Sequence, residues 1–170
     1  EIQMEINHRI ATNKVFSFIY ADLDNFKAYN DVYGFASGDR AIKLTADIIC
    51  DNVHMHGTSG DFIGHIGGDD FIVITVPACV DKICKGIIND FDTKIKSLYS
   101  KKDIENGYIT TTDRRGNINK FPIMSISMSV VSNEYRKFVT YAHVSEVAAE
   151  VKKFVKSIPG SAYFKDRRKD

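Results

Sequence analysis

Two apolar periodicities alternate along this chain, and the switches between them lay out its elements. Residues 3–13 mix polar and apolar positions as the tail of a helix does. Residues 15–21 are nearly all apolar, β-branched or aromatic, which predicts a buried central strand ending at the acids Asp22 and Asp24. Residues 25–33 read as helix and residues 34–38 as a break. Asp39 is then expected to cap a long helix to about Asn52, with Ala41, Ile42, Ile48 and Ile49 among its apolar positions. Strands are predicted over 62–66 and 71–76. The Gly67-Gly68-Asp69-Asp70 turn joins them as a hairpin, because glycine permits positive φ.

After Pro77 the positions Val80, Ile83, Cys84, Ile87, Ile88, Phe91, Ile95 and Leu98 recur at helical spacing. Residues 99–121 are polar, with a turn around 113–117. Residues 121–131 set Ser125, Ser127 and Ser129 against Met124, Ile126, Met128 and Val130, a period-two strand. A last helix is predicted over 139–157, inward at Val144, Val147, Ala148, Val151, Phe154 and Val155. Pro159-Gly160 stops it, and residues 162–164 add an edge strand. This β-α-β-β-α-β order predicts an α+β, ferredoxin-like fold with a mostly antiparallel central sheet flanked by helices. Right-handed crossovers then set the first strand beside the Gly-Gly hairpin, with Asp22 and Asp69 at one edge. No repeat or linker divides the chain. It reads as a single domain over 1–170, in which residues 1–13 end a linker helix and residues 99–121 form an insertion.

Composition narrows the partners. Hydrophobic residues are 44% and charged residues 26% of 170, ordinary for a folded globular protein. A net charge of +1 supplies no field for a nucleic acid, and the basic cluster over 165–169 reads as a solvated end interrupted by Asp166. Three cysteines without metal-ligand spacing predict reduced thiols and a cytoplasmic setting. No apolar run approaches the roughly 20 residues of a membrane span, so no membrane contact is expected of this stretch. The chain begins at Glu1 inside a helical pattern, which suggests one domain of a longer parent chain whose other segments could anchor it.

The acids carry the chemistry. Paired carboxylates at neighbouring loop tips suit a hard divalent cation, which takes few carboxylates and completes its shell with water and substrate phosphates. Two such ions serve nucleotidyl transfer by polarising the attacking hydroxyl and stabilising the leaving pyrophosphate. Backbone amides near Asn25, at a helix start, suit phosphate oxygens, and Lys27 adds charge there. Asn30 and Asp39 offer the amide and carboxylate that can read a guanine edge.

In this order those residues resemble a known family. The run Ala21-Asp22-Leu23-Asp24-Asn25-Phe26-Lys27, then Asn30-Asp31, Gly34 and Gly38-Asp39, is similar to the first signature of GGDEF domains. The run His65-Ile66-Gly67-Gly68-Asp69-Asp70-Phe71 resembles the signature that names the family, and Glu150-Val151-Lys152-Lys153 with Lys156 its closing motif. The resemblance spans about residues 14–168 and implies the nucleotide-cyclase palm. It implies a metal-dependent diguanylate cyclase, in which a homodimer joins two GTP molecules into cyclic di-GMP. Asp22, the Leu23 carbonyl and Asp69 would ligate Mg²⁺ or Mn²⁺. Asn25, Phe26, Lys27 and Lys156 would meet the phosphates beside Gly67 and Gly68, and Asn30 and Asp39 would hold guanine. Asp69 or Asp70 would help deprotonate the ribose 3′-hydroxyl.

The chain also departs from that pattern. Asp70 stands where Glu is usual, Ser161 where a basic residue is common, and His65 where arginine commonly precedes the signature. Thr58-Ser59-Gly60-Asp61 keeps the acid of the family's inhibitory Arg-x-x-Asp site and lacks its arginine, which predicts no product inhibition of the usual kind. The insertion resembles that of a subgroup found with EAL and CBS domains. Two readings stay open: a cyclase, or a catalytically impaired domain that binds GTP and regulates an attached domain.

Overall fold

The structure, a computed structural model, describes residues 1–113 and 115–169. Helix α1 (Ile2–Ala11) precedes the central strand β1 (Ser17–Asp24). Then come α2 (Phe26–Tyr33), α3 (Phe35–His56), and the hairpin of β2 (Phe62–Gly67) and β3 (Asp70–Thr75). A short 3₁₀ turn leads into α4 (Val80–Lys94), and a second follows it. The stretch expected as an insertion folds as α5 (Lys101–Asn106) and a hairpin of β4 (Tyr108–Thr112) and β5 (Ile118–Pro122). Its turn includes Arg114, which lies outside the described residues. The chain closes with β6 (Ser125–Ser132), α6 (Tyr141–Val155) and β7 (Ala162–Lys165).

The main sheet runs β2-β3-β1-β6-β7, antiparallel except for the β6–β7 pair. This is the expected α+β plan, with the first strand between the hairpin and β6. Each face is covered by its own helices. Odd-numbered β1 residues Ile19, Ala21 and Leu23 pack with Phe71, Val73 and the inner faces of α3 and α4. Even-numbered residues Phe16 and Phe18 pack with Ile72, Ile74, α1 and α6. The period of two in a strand thus sorts one sequence run onto two cores, which is why residues 15–21 read as continuously apolar.

Four boundaries differ from the sequence reading. β1 does not stop at Ala21: its ladder to β6 continues to Asp24, so both acids are strand residues. Asp39 is not a cap; α3 begins at Phe35, directly after Gly34, whose φ of 82° makes the break alone. The helix after Pro77 ends at Lys94, and Ile95 and Leu98 sit on the 3₁₀ turn beyond it. The run 121–131 is split at Ile123-Met124 between β5 and β6, because Phe121 pairs with Ile109 in the separate hairpin. The three cysteines are free thiols, and Cys84 is fully buried as its apolar stripe requires. Among the described residues no helix is long and apolar enough to cross a membrane.

The helical pair α3–α4 depends on a glycine. A Cβ at Gly86 would overlap the Asn52 side chain, which is held by Ile48 O at 2.9 Å and Asp90 Oδ2 at 3.0 Å. Gly86→Ala should therefore lower unfolding free energy by about 1–3 kcal/mol. Urea denaturation measures it, and an unchanged midpoint would mean that the helices separate without cost.

Candidate functional site

The same period of two assembles the acids. Asp22 and Asp24 share the face of β1 that α6 covers, and Asp22 lies opposite Asp70 in the β1–β3 register. Ser127 and Ser125 lie opposite Asp22 and Asp24 on the other side. Both serine hydroxyls donate to Asp24 Oδ2, at 2.7 and 2.9 Å. On α6, Lys152 and Lys156 are one helical turn apart and so project from the same face. Lys152 Nζ is 2.5 Å from Asp22 Oδ2 and 3.2 Å from Asp70 Oδ1. Lys156 pairs with Asp22 Oδ1 and lies 3.3 Å from Asp24 Oδ1.

These pairs set the titration of the cluster. Burial pushes the Asp22 carboxyl up, but the Lys152 and Lys156 ammoniums outweigh it and hold the group below its ordinary value. For both lysines burial acts downward and is overcome by the carboxylates, so each is held above its ordinary value. Asp69 goes the other way. Burial, joined by the like charges of Asp22 and Asp70, raises it against the pull of its own backbone amide and Lys156.

The hairpin tip is shaped by backbone. Gly67 and Gly68 have φ of 136° and 59°, conformations that side chains resist. The register slips between His65 and Gly67, leaving Ile66 as an extra, exposed residue. His65 stacks on Phe71 with ring centroids 4.7 Å apart and meets Gly68 O at 2.9 Å. It is a hairpin-packing residue, as its strand position suggests.

The other expected residues line one rim. Asn25 links β1 to α2 in a left-handed conformation, φ 64°, so the chain turns sharply into the amides of Phe26 and Lys27. Phe26 packs on the core and Lys27 is exposed. Asn30 presses so closely on Gly38 that a Cβ there would overlap its amide, which brings Asn30 beside exposed Asp39 across the α2–α3 corner. The Asn30 Oδ1 is a buried acceptor without a donor. Ser161 is structural: its hydroxyl accepts from Ile126 N at 3.0 Å and donates to Asp92 at 2.5 Å. Asp61 takes the Thr58 amide and the Thr58 and Thr75 hydroxyls, which ties down the loop where an inhibitory acid was expected.

For a divalent ion the donors fit. Asp22, Asp69 and the Leu23 carbonyl all offer hard oxygens, and Asp22 is a buried carboxylate held in its ionised form. The β3 ladder stops at Asp22 while β6 continues to Asp24, so the β1 backbone beyond Asp22 is open on the hairpin side. Among the described residues no group of three or more His, Cys, Asp or Glu side chains is placed to hold a metal by itself. A nucleotide would have to complete the shell.

The family profile described as "Diguanylate cyclase, GGDEF domain" matches residues 1–116. This chain belongs to the GGDEF family. Among curated relatives of the GGDEF domain, diguanylate cyclase DosC of Shigella sonnei is 35% identical over 74 residues, 44% of this chain and 15% of that protein. Diguanylate cyclase DgcS of Shewanella oneidensis is 47% identical over 58 residues, 34% of this chain and 18% of that protein. The matches therefore span under a fifth of those relatives' lengths. The GGDEF domain of DgcB from Caulobacter crescentus, solved with c-di-GMP, superposes with a TM-score of 0.63 at 15% identity, covering 96% of this chain and 84% of that one. The active GGEEF domain of a Vibrio cholerae diguanylate cyclase gives 0.63 at 16% identity, covering 97% and 92%. These structural likenesses bear on the fold.

Sequence reasoning missed Lys152, Ser125 and Ser127 as site residues. The signal was present in the serine alternation and in the spacing of Lys152 and Lys156, but it acquires meaning only with the register. Asp22 gives a pH test. Its stabilising contribution is complete above the unfolded value of about 3.9 and is lost as pH falls through the lower folded value. On acidification below about pH 4, wild type should lose urea stability more steeply than Asp22→Asn. Parallel profiles would show that Asp22 is not held ionised by the lysines.

Proposed function

We propose that this GGDEF domain is a diguanylate cyclase, condensing two GTP molecules into cyclic di-GMP with release of pyrophosphate. The observation that supports it best is the carboxylate cluster at the β1–β3 edge, facing two lysines and flanked by the Asn25 turn. Asp22, the Leu23 carbonyl and Asp69 would hold Mg²⁺ or Mn²⁺. Such an ion supplies phosphate charge neutralisation and a lowered hydroxyl pKa. The amides of Asn25, Phe26 and Lys27 would bind phosphate oxygens at the α2 start, with Gly67 and Gly68 leaving room for close approach. Lys156 would exchange its carboxylate partners for the triphosphate. Asn30 and Asp39 would accept from guanine N–H groups, a role that suits an acceptor without a donor at Asn30.

In the reaction the ribose 3′-oxygen of each GTP bonds to the α-phosphorus of the other, and at each phosphorus the bond to the α,β-bridging oxygen breaks. Two pyrophosphates leave, and each 3′-hydroxyl proton passes to a carboxylate. Asp69, or Asp70 beside it, is the candidate acceptor, because both carboxylates stand at the hairpin tip next to Asp22. Each domain would present one GTP, so turnover needs a homodimer in a cytoplasmic setting where GTP is at hand. The helix–hairpin stretch after α4 supports the EAL- and CBS-associated subgroup, in which other domains of the parent chain would supply the signal.

Asp70 and Ser161 favour a second reading, a domain that binds GTP and regulates without turnover. Chromatography of the dimerised domain with GTP and Mg²⁺ or Mn²⁺ separates the two. The cyclase reading expects cyclic di-GMP, and Asp69→Ala should cut its formation by at least about 100-fold, since even partners of metal ligands are worth about 10–100-fold. GTP binding without product would leave the regulatory reading. By calorimetry, Asp39→Ala should weaken GTP binding about 10-fold or more, the loss of one or two hydrogen bonds involving a charged acceptor. Unchanged affinity would remove Asp39 from the guanine site.

A further inference from the structure

Lys152 differs from Lys156 in how it is held. Its ammonium bridges two carboxylates that face one another across a strand ladder, Asp22 at 2.5 Å and Asp70 at 3.2 Å. The Tyr20 ring covers it from a third side, with Nζ 4.3 Å from the centroid. Tyr20 precedes Asp22 by two on the same face of β1, so strand geometry fixes the ring beside the carboxylate. The Lys152 side chain is only 21% exposed, against 37% for Lys156. Lys156 is thus the more exposed of the two cations and Lys152 the more enclosed.

A cation between two opposed carboxylates is the arrangement in which two-metal phosphoryl-transfer sites place an ion. Here that place is taken by protein. Four carboxylates, Asp22, Asp24, Asp69 and Asp70, stand against two ammoniums, a deficit of the size that one divalent ion arriving with a nucleotide would close. Mg²⁺ demands oxygens at about 2.0–2.1 Å in near-octahedral order, so it cannot share the Asp22–Asp70 bridge with an ammonium.

We propose that Lys152 is a built-in cation replacing one metal of a two-metal site, so that this domain takes up one divalent ion with its nucleotide instead of two. The inference rests on the metal–nucleotide reading of the site. Asp70 then acts as the partner of Lys152, a positioning residue, and touches metal only when Lys152 is removed.

The test counts ions. The whole chain is titrated with Mn²⁺ in the presence of the α,β-methylene analogue of GTP, which cannot release pyrophosphate, and bound Mn²⁺ is read by electron paramagnetic resonance. One ion per domain is expected for wild type and for Lys152→Arg. Lys152→Met is expected to take two, with the spin–spin broadening of neighbouring Mn²⁺ ions. Lys152→Met,Asp70→Asn, which lacks both the ammonium and the second carboxylate, is expected to return to one. Two ions in the wild type, or one in a folded Lys152→Met, would overturn the proposal while leaving the metal–nucleotide reading intact. No Mn²⁺ bound to any form would overturn both.

Discussion

Burying a carboxylate at the end of a central strand is the constraint around which this domain is arranged. Asp22 is 6% exposed, and its neighbours across the two ladders are Asp70 and Ser127. An isolated charge there would cost several kcal/mol and would take up a proton instead. Two ammoniums from one helix prevent that, since α6 meets Asp22 on both oxygens. The apolar stripe of α6, Val144, Val147, Ala148, Val151 and Val155, supplies the anchorage that keeps the lysines over the sheet. Packing of an ordinary amphipathic helix and ionisation of the site are therefore one linked equilibrium. Lysine stems suit this place, because their methylenes lie along apolar surface while the ammonium reaches the acids.

The ladders extend that logic sideways. Asp24 is too far along β1 to share Lys152, and it is held by Ser125 and Ser127 from β6 together with Lys156. Ser127 is buried, and a hydroxyl there satisfies an acid without adding charge. β6 consequently has methionine and β-branched residues toward α4 and small hydroxyls toward the site. The alternation holds from Ser125 to Val130 and ends at Val131, which packs in the apolar core on the serine face. At the far end Ser161 closes the β6–β7 junction by bridging Ile126 N and Asp92. The position where the resemblance implies a basic residue is part of the scaffold in this chain.

Much of this could be read from the sequence because it is local. The Gly67–Asp70 hairpin, the apolar run before Asp22 and the α6 stripe are each set by neighbours within a turn or a strand. What could not be read depends on register. Lys152 stands in the closing motif, but its place over the acids cannot be read until β1 is known to lie beneath it. Ser125 and Ser127 look like the solvent face of a strand, although both bond the half-buried Asp24, 101 and 103 residues away. Asp39 was misread for a different reason. Gly34 and Gly38 together suggest a loop, yet only Gly34 has positive φ. Gly38 is a helix residue that lacks a side chain because Asn30 occupies the space. A steric demand from another helix imitates a breaker, and sequence periodicity cannot separate the two.

The hairpin gives its two acids different freedoms, and this bears on the shortened Asp70. Asp70 is a ladder residue opposite Asp22, so the pleat fixes its direction toward α6. Asp69 sits in the turn outside the ladder, after two glycines with positive φ. An acid fixed in direction and one methylene short is a poor direct ligand, because it cannot adjust its reach. It is a good partner for lysine, whose flexible four-carbon stem supplies the missing length. The substitution that would weaken a metal contact is therefore absorbed by Lys152, and the demand for exact placement moves to Asp69. That residue sits in the turn, outside the ladders that fix Asp22 and Asp70.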